Sequence, residues 1–349
     1  MLSDSQHSIV GNENCNNLLR GKRGWIVTSG YVGNVVQCEG VMEALGLEIE
    51  YKTVKPVAPW RYLAPWGPIS PKIDIGGSSG QFAGPLPEII IGSSRQAVPY
   101  MRALKKHSDQ RTLTVFLQNP LIGTKAADLI WVSDHDHHKI NGENVISTLL
   151  APNRVTQKRL EHARRTSTLD MGAMTSPCMA IVVGGKNAVY NYDAESCKRF
   201  GQYLAKAACG GASFLVTPSR RTEARIIAVI RDAIGNAPHH IWDGSGDNPY
   251  FEYLSQCDGL IVTADSINMA GEAIATGKPV YIFHPNGGSR KFDYFHDQLR
   301  QRGITRDFVG VIDAWNYEPM NATMVIAAEI ARRWQQKQKS TAYTNGNKY

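Results

Sequence analysis

Short apolar runs rich in β-branched residues alternate with helical patterns along most of the chain. This alternation predicts parallel βαβ units rather than a sandwich of antiparallel sheets. The first series of predicted strands comprises Trp25–Thr28, Glu88–Gly92, Leu113–Leu117 and Leu129–Ser133. The second series comprises Met179–Gly184, Ser213–Thr217, His239–Asp243, Gly259–Thr263 and Pro279–Phe283. The patterns between them predict helices, among them 35–45, 194–208, 222–233 and 269–275. The predicted fold class is therefore α/β, with two Rossmann-like, doubly wound domains.

The periodicity is lost between the two series, from Arg164 to Cys178, so we place a linker there. The predicted organisation is a disordered leader (1–23), an N-terminal Rossmann-like domain (24–165), a linker (166–177), a C-terminal Rossmann-like domain (178–320), a C-terminal helix (321–338) and a disordered tail (339–349). We expect the two sheets to face each other across a cleft. Ligands of such sheets bind beyond the carboxyl ends of the strands, where we therefore expect the functional residues.

The composition is typical of a globular protein, with 42% hydrophobic and 20% charged residues. No apolar run approaches the roughly 20 residues that a membrane span requires, and residues 1–23 lack the apolar core of a signal peptide. We therefore expect a cytoplasmic protein. The six cysteines form no CxxC pair, which argues against a zinc site or a disulfide framework. The net charge of +7 is divided between both halves of the chain, so we expect no nucleic-acid partner.

The segment from Val262 to Phe283, VTADSINMAGEAIATGKPVYIF, joins one predicted strand through a short helix to the next. Asp265 or Ser266 is a suitable N-cap for that helix, and Gly277 a suitable stop. Glu272 lies on the helix among apolar residues, where a carboxylate is costly unless it meets a partner or a polar ligand. Two ribose hydroxyls would suit it, and the free N–H groups at the helix start favour phosphate. The alternative is a rim glutamate paired with a nearby Arg or Lys.

Polar groups suited to a nucleotide recur at four successive strand ends of the second series. A backbone turn or a solvated pair of arginines explains single groups, but the recurrence favours a nucleotide site. The predicted nucleotide-binding residues are Gly184, Gly185, Lys186, Ser219, Arg220, Asn248, Tyr250, Asp265, Ser266 and Glu272.

The first half carries a smaller set of candidates. Gly30, Gly33, Asn34 and Gln37 follow the first strand and are candidate site residues, although they form no GxGxxG dinucleotide motif. The segment 133–138, SDHDHH, resembles a metal-ligand set, but adjacent loop residues rarely all aim at one ion. We therefore expect no metal, and His135 or Asp136 acting singly as an acid or base. No cofactor is expected.

A proline-rich segment separates the first two predicted strands. Residues 55–87 contain Trp60, Tyr62, Leu63 and Trp66 close to basic side chains. Two interpretations remain open for this segment: contact with a membrane interface or an acceptor, and packing over the core of its own domain.

Several motifs together resemble the mitochondrial fission family, known in plants as the elongated-mitochondria protein, in its bacterial-type form. They are Gly33–Gly46, Asn119-Pro120, His135-Asp136, Gly184-Gly185, Ser219–Thr222 (SRRT), Trp242–Tyr250 (WDGSGDNPY) and Thr263–Val280 (TADSINMAGEAIATGKPV). The resemblance runs from Trp25 to Phe283, and the last three motifs are specific in spacing. Asn34 stands where the family usually has a histidine, and Gly271 where a serine is commoner.

That family is similar in turn to nucleotide-sugar glycosyltransferases of the GT-B fold, such as the peptidoglycan and Kdo transferases. In those enzymes the glutamate that corresponds to Glu272 binds the donor ribose. The resemblance implies a metal-independent glycosyltransferase that binds a nucleotide-sugar donor, as its substrate and not as a cofactor, in the interdomain cleft. It also implies an envelope or lipid-linked acceptor, with Gly30, Gly33, Asn34 and Gln37 on the acceptor side, and peripheral contact with the inner membrane face. The alternative is a non-catalytic adaptor that recruits a membrane-remodelling partner.

Overall fold

The computed structural model describes residues 18–108 and 111–346. Most of the expected leader, residues 1–17, lies outside this part of the chain, as do residues 347–349 of the expected tail. The described chain separates into two compact units: the first ends at Arg154 and is completed by the chain from Asn321 onward, and the second is Val155–Met320.

The first unit contains a six-stranded parallel sheet in the order β2-β1-β3-β4-β5-β6. Its strands are β1 (Arg23–Thr28), β2 (Glu48–Thr53), β3 (Ile89–Gly92), β4 (Leu113–Leu117), β5 (Leu129–Ser133) and β6 (Val145–Thr148). Its first helices are α1 (Val32–Ala44), the one-turn α2 (Trp60–Leu63) and α3 (Val98–His107). β3 and β4 are buried along their whole length, which explains why these parallel strands show as continuous apolar runs in the sequence.

The second unit contains a six-stranded parallel sheet in the order β10-β9-β7-β11-β12-β14. Its strands are β7 (Cys178–Val183), β8 (Tyr190–Asn191), β9 (Ser213–Pro218), β10 (His239–Ile241), β11 (Gly259–Thr263), β12 (Val280–Phe283), β13 (Asn286–Gly287) and β14 (Thr305–Asp307). β8 and β13 form a separate antiparallel pair. The helices are α4 (Gln157–Thr166), α5 (Ala194–Cys209), α6 (Ala224–Ile234), α7 (Tyr250–Gln256), α8 (Ile267–Ile274) and α9 (Arg290–Gln301).

The second sheet has the strand order of the Rossmann fold: β9 and β10 are added on one side of β7, and β11, β12 and β14 on the other, so that the order of the strands reverses beside β7. That reversal lies between β7 and β11, and ligands of such sheets bind at this point. The prediction of two Rossmann-like, doubly wound units is confirmed by the two sheets. The cleft expected between the units stays a prediction.

The last helix, α10 (Ala322–Gly346), returns to the first unit and packs against α1. Thr323, at its start, is buried and accepts a hydrogen bond from the backbone N–H of Asn153 at 2.8 Å. The helix continues past Gln338 into the segment expected to be disordered, since no glycine or proline interrupts residues 339–345. No helix in the described part of the chain is both long and apolar enough to cross a bilayer.

Helix α4 lies in the second unit, although the sequence placed it before the linker. It packs against α7: the Arg159 guanidinium lies 4.2 Å from the ring centroid of Phe251, and Arg164 donates to the carbonyl oxygen of Ser255 at 2.8 Å. These contacts draw α4 to the second unit, so the division of the chain falls at Arg154 rather than after α4.

The Gly-Lys-Pro sequence after α8 has a structural role. Gly277 has a φ of +75°, which ends the helix. The Lys278 ammonium then donates to the carbonyl oxygens of Leu254, Ser255 and Cys257, at 2.7, 3.0 and 2.6 Å. These carbonyls end α7, so one lysine satisfies them and joins the end of α7 to the start of β12.

Candidate functional site

The buried carboxylate of Asp265 connects three loops at the point where the strand order of the second sheet reverses. Its Oδ2 accepts from the backbone N–H of Gly185 and from Arg221, each at 3.0 Å, and its Oδ1 accepts from the Tyr192 hydroxyl at 2.7 Å. The Asp265 side chain is fully inaccessible to solvent, whereas that of Arg221 is 42% exposed. Asp265 thus fixes the loops after β7 and β9 relative to its own loop after β11.

Two glycines allow this close approach. A Cβ atom on Gly184 would lie 2.1 Å from Asp265 Oδ2, and one on Gly185 would lie 2.0 Å from the carbonyl oxygen of Arg221. The Gly184 N–H donates to Thr263 Oγ1 at 2.8 Å. The predicted phosphate contacts of these glycines are therefore not made through their own N–H groups, because both already have partners within the chain.

The loop after β9 is closed by its own side chains. Thr222 Oγ1 lies 2.6 Å from the carbonyl oxygen of Gly184 and accepts from the Ser219 N–H at 2.8 Å. Ser219 Oγ accepts from the Arg221 N–H at 3.2 Å. Thr222 thus joins β7 to β9, and the N-cap position of α6 is Glu223.

Helix α8 begins at this same edge. Ser266 is its N-cap and accepts from the Met269 N–H at 3.4 Å, so of the two candidates for the cap it is Ser266 that occupies the position. The carbonyl of the preceding Ala264 accepts from His296 Nε2 at 3.0 Å. Burial lowers the pKa of His296 to about 4, so its ring is neutral at physiological pH and its Nε2 carries the proton. This hydrogen bond joins α9 to the residues that precede α8.

Glu272 is partly buried and contacts a tyrosine rather than a cation. The Tyr250 hydroxyl, at the start of α7, donates to Glu272 Oε2 at 2.6 Å. Within the described residues no Arg or Lys pairs with Glu272, and its Oε1 accepts no hydrogen bond. Burial raises the pKa of Glu272, against the opposing effect of the Tyr250 hydrogen bond. Burial and the Glu272 charge raise the pKa of Tyr250 well above its ordinary value. The carboxylate therefore has one oxygen available to a ligand.

The structure divides the predicted nucleotide-binding residues into two groups. The side chain of Asp265, that of Ser219 and the two glycine N–H groups are engaged in holding the loops. Lys186 and Arg220 are exposed and have no hydrogen bond or ion pair within the described chain. Asn248 is also exposed, and only its Oδ1 is engaged, by Thr217 at 3.4 Å. Two cations, one amide and one carboxylate oxygen thus remain available along this edge.

The carboxyl edge of the first sheet brings together some of the acceptor-side candidates. Gln118 Nε2, after β4, donates to Asn34 Oδ1 on α1 at 2.9 Å, and the Gly30 N–H donates to Thr28 Oγ1 at 3.1 Å. Gly33 is exposed in the first turn of α1 and Gln37 is buried one turn further on. Ser94 and Gln118, which follow β3 and β4, have φ values of 92° and 144°. Such backbone conformations are costly for residues other than glycine and are found mainly at functional sites.

His135 and Asp136 lie on a short 3₁₀ helix, Asp134–Lys139, after β5. His135 Nε2 lies 3.2 Å from Asp136 Oδ2, and the imidazole is largely buried. β5 is the third strand from β1, so at the usual spacing of strands about 14 Å of sheet edge separates this pair from the Asn34 region. Among the residues described, no group of three or more His, Cys, Asp or Glu is arranged to hold a metal ion.

Sequence reasoning missed the groups that organise the site. Arg221, next to the predicted Arg220, forms the ion pair with Asp265, and Tyr192 and Thr263 complete the loop contacts. The SRRT motif marked the position of Arg221 without distinguishing it from its neighbour. No signal in the sequence indicated Tyr192, which reads as an ordinary aromatic residue before α5.

Comparison with known sequences gives a family and two relatives. The family model for Mitochondrial fission ELM1 matches residues 32–334. Mitochondrial fission protein ELM1 of Arabidopsis thaliana is 26% identical over 271 residues, which cover 70% of this chain and 64% of that protein. Uncharacterized protein RP120 of Rickettsia prowazekii (strain Madrid E) is 30% identical over 202 residues, which cover 55% of this chain and 53% of that protein. The chain thus spans between half and two thirds of the length of these relatives.

Solved structures give more distant similarities. MurG of Acinetobacter baumannii matches with a TM-score of 0.44 and 13% identity, over 89% of this chain and 95% of that one. The glycotransferase of kitacinnamycin matches with a TM-score of 0.48 and 11% identity, over 92% and 95% of the two chains. A UDP-GlcNAc 2-epimerase from Neisseria meningitidis matches with a TM-score of 0.42 and 10% identity, over 90% and 92%. Similarities this distant establish no activity for the chain.

Replacement of Asp265 by Asn is expected to destabilise the second unit by about 2 kcal/mol, because it removes the charge of a buried carboxylate that accepts three hydrogen bonds and places an amide N–H group against one of the donors. The measurement is the urea midpoint of unfolding. Asp232→Asn, an exposed change on α6, is the matched control and should stay within about 0.5 kcal/mol of the wild type. A midpoint for Asp265→Asn equal to that of the control would contradict the structural role of this carboxylate.

Glu272→Gln is expected to stabilise the ligand-free protein at pH 8, since a neutral amide does not incur the cost of burying a charge. The pKa of Glu272 is raised in the folded chain. The cost of burying its charge is therefore fully present at pH values above the folded pKa and is absent at pH values below the ordinary pKa of 4.5. The advantage of the variant in urea unfolding should therefore shrink as the pH falls from 8 to 5. Glu318→Gln, at an exposed site in the same unit, controls for the loss of one charge. Destabilisation by Glu272→Gln at both pH values would show that its carboxylate has a stabilising partner.

Proposed function

The chain belongs to the mitochondrial fission ELM1 family, and for this member we propose the function of a metal-independent glycosyltransferase. The donor is a nucleotide sugar bound at the carboxyl edge of the second sheet. The acceptor is an envelope or lipid-linked molecule carrying a hydroxyl group, reached from the cytoplasmic side of a membrane.

The observation that carries this proposal is the state of Glu272. Its carboxylate is partly buried, has the Tyr250 hydroxyl as its donor, and has no cation beside it in the described chain. Such a group reduces stability unless a ligand supplies hydrogen bonds. The vicinal hydroxyls of a ribose supply two donors, and Oε1 is available to accept from them.

The start of α8 and two cations suit the diphosphate of the same ligand. Ser266 and Glu272 are six residues apart, about 9 Å along the helix axis. The first turn of a helix has N–H groups without intrahelical partners and a positive dipole end, both of which favour phosphate. Arg220 and Lys186 lie in the loops after β9 and β7 and have no partner in the described chain. In this proposal they neutralise the diphosphate as it departs.

The transfer itself follows from these assignments. The acceptor hydroxyl oxygen forms a bond to the anomeric carbon of the sugar, the bond from that carbon to the diphosphate oxygen breaks, and the nucleoside diphosphate leaves. A base from the first unit, His135 or Asp136, takes the hydroxyl proton. No step in this sequence requires a metal ion.

The second candidate function is a non-catalytic adaptor. The name of the Arabidopsis thaliana relative, a mitochondrial fission protein, favours it. An adaptor would act through surfaces outside the strand ends, so substitution of Arg220 would leave its activity in a cell unchanged. Loss of that activity through Arg220→Ala alone would exclude the adaptor as the whole function.

We expect calorimetry with a panel of UDP-, GDP- and CMP-sugars to show binding of at least one of them to the wild type. Glu272→Gln and Arg220→Ala should each weaken that binding about tenfold or more, because each removes a charged hydrogen-bonding partner. Arg231 is an exposed arginine in the last turn of α6, the helix that follows the loop of Arg220. Arg231→Ala removes the same charge at the far end of that helix and should leave affinity unchanged. Absence of heat for every donor, or equal heat from all four proteins, would refute the proposed site.

A further inference from the structure

The loop between β2 and β3 exposes a cluster of large apolar side chains. Val57, Tyr62, Leu63 and Trp66 are 66%, 74%, 45% and 62% accessible to solvent. They lie within ten consecutive residues around the one-turn helix α2. We call residues 55–72, which contain these side chains and the basic residues beside them, the aromatic loop. Exposed apolar patches of this kind mark interaction surfaces in soluble domains.

The aromatic loop is held in place, so the exposure of its tip is a property of the fold. Ala64 and Pro65, within the loop, are buried and form its base. Arg95 donates to the carbonyl oxygen of Ala64, and Arg102 donates to those of Trp66 and Gly67 at 2.9 and 3.1 Å. Of the two interpretations drawn from the sequence, packing over the core applies to the buried base of the loop but not to its tip.

The charge of this surface has one sign. Between Thr53 and Ile73 the sequence contains no acidic residue, while Lys55, Arg61 and Lys72 are all exposed. Arg95, also exposed, places its guanidinium 5.9 Å from the centre of the Trp66 ring. Apolar rings and cations are therefore interleaved on one surface.

We propose that the aromatic loop docks the protein on an anionic phospholipid surface. Tyrosine and tryptophan rings partition to the headgroup region, where an apolar face and a polar edge are both satisfied. Each Lys or Arg near such a surface adds attraction to anionic lipids, which salt screens. The absence of acids makes the loop complementary to a uniformly negative surface, and this complementarity selects lipid over a protein partner. The surface lies in the first unit and does not depend on the nucleotide site.

The test is co-sedimentation of the full chain with vesicles of phosphatidylcholine alone or mixed with phosphatidylglycerol. The wild type should bind the mixed vesicles, bind neutral ones at least fivefold more weakly, and be released from the mixed ones by high salt. Arg61→Glu should weaken binding about fivefold or more, the effect of removing one basic residue near such a surface. Tyr62→Ser combined with Trp66→Ser should weaken it further.

Tyr294→Ser is the matched control, because Tyr294 is a 44% exposed tyrosine of the second unit. Its vesicle binding should equal that of the wild type. Arg61 is exposed and outside the core, so Arg61→Glu tests the surface even where the double variant is poorly folded. Equal binding by wild type and Arg61→Glu, or no binding of the wild type to mixed vesicles, would overturn the proposal. Nucleotide-sugar binding by Arg61→Glu should equal that of the wild type, which shows that a loss of vesicle binding does not come from a loss of the nucleotide site.

Discussion

The second unit depends on one buried carboxylate, that of Asp265. It accepts hydrogen bonds from Gly185 and Tyr192, in the connection that follows β7, and from Arg221, in the loop that follows β9, while Asp265 itself lies in the loop after β11. A buried charge with several donors is stable only while all of them stay in place, so the three loops must keep one arrangement. The two glycines after β7 follow from the same constraint, because a side chain at either position would collide with Asp265 or with the Arg221 carbonyl.

The two acids at this edge are in opposite electrostatic situations. Asp265 has a cation and two further donors, whereas Glu272 has only the Tyr250 hydroxyl. The first acid organises the chain and the second remains short of partners. A site that reduces the stability of the free protein is typical of ligand binding, because the missing hydrogen bonds are supplied when the ligand arrives. Arg220 and Lys186 differ from Glu272 in being exposed to water, but each cation also lacks a partner within the described chain and is available to an anionic ligand.

The sequence predicted the buried strands well because a strand covered on both faces is an unbroken apolar run, as in β3 and β7. It did not indicate β2, β6 or β14, whose side chains are largely exposed or half-buried at the sheet edges. The loops after β7, β9 and β11 were predictable as the position of a site, because parallel strands end at one edge. The sequence did not indicate which side chains hold these loops together and which remain available to a ligand. Arg220 and Arg221 are adjacent and chemically identical, and only the path of the turn decides which one meets Asp265. The bond from Tyr250 to Glu272 depends on how α7 and α8 are placed by Lys278, a contact that no local pattern encodes.

The most direct test of the central claim is a crystal structure of the protein soaked with UDP or GDP. The account predicts density for the ribose with its hydroxyls on Glu272 Oε1, and for the diphosphate at the start of α8 beside Arg220. The Asp265 contacts should be unchanged in that complex. A nucleotide bound away from this edge, or a Glu272 carboxylate paired with a basic side chain of the protein itself, would contradict it.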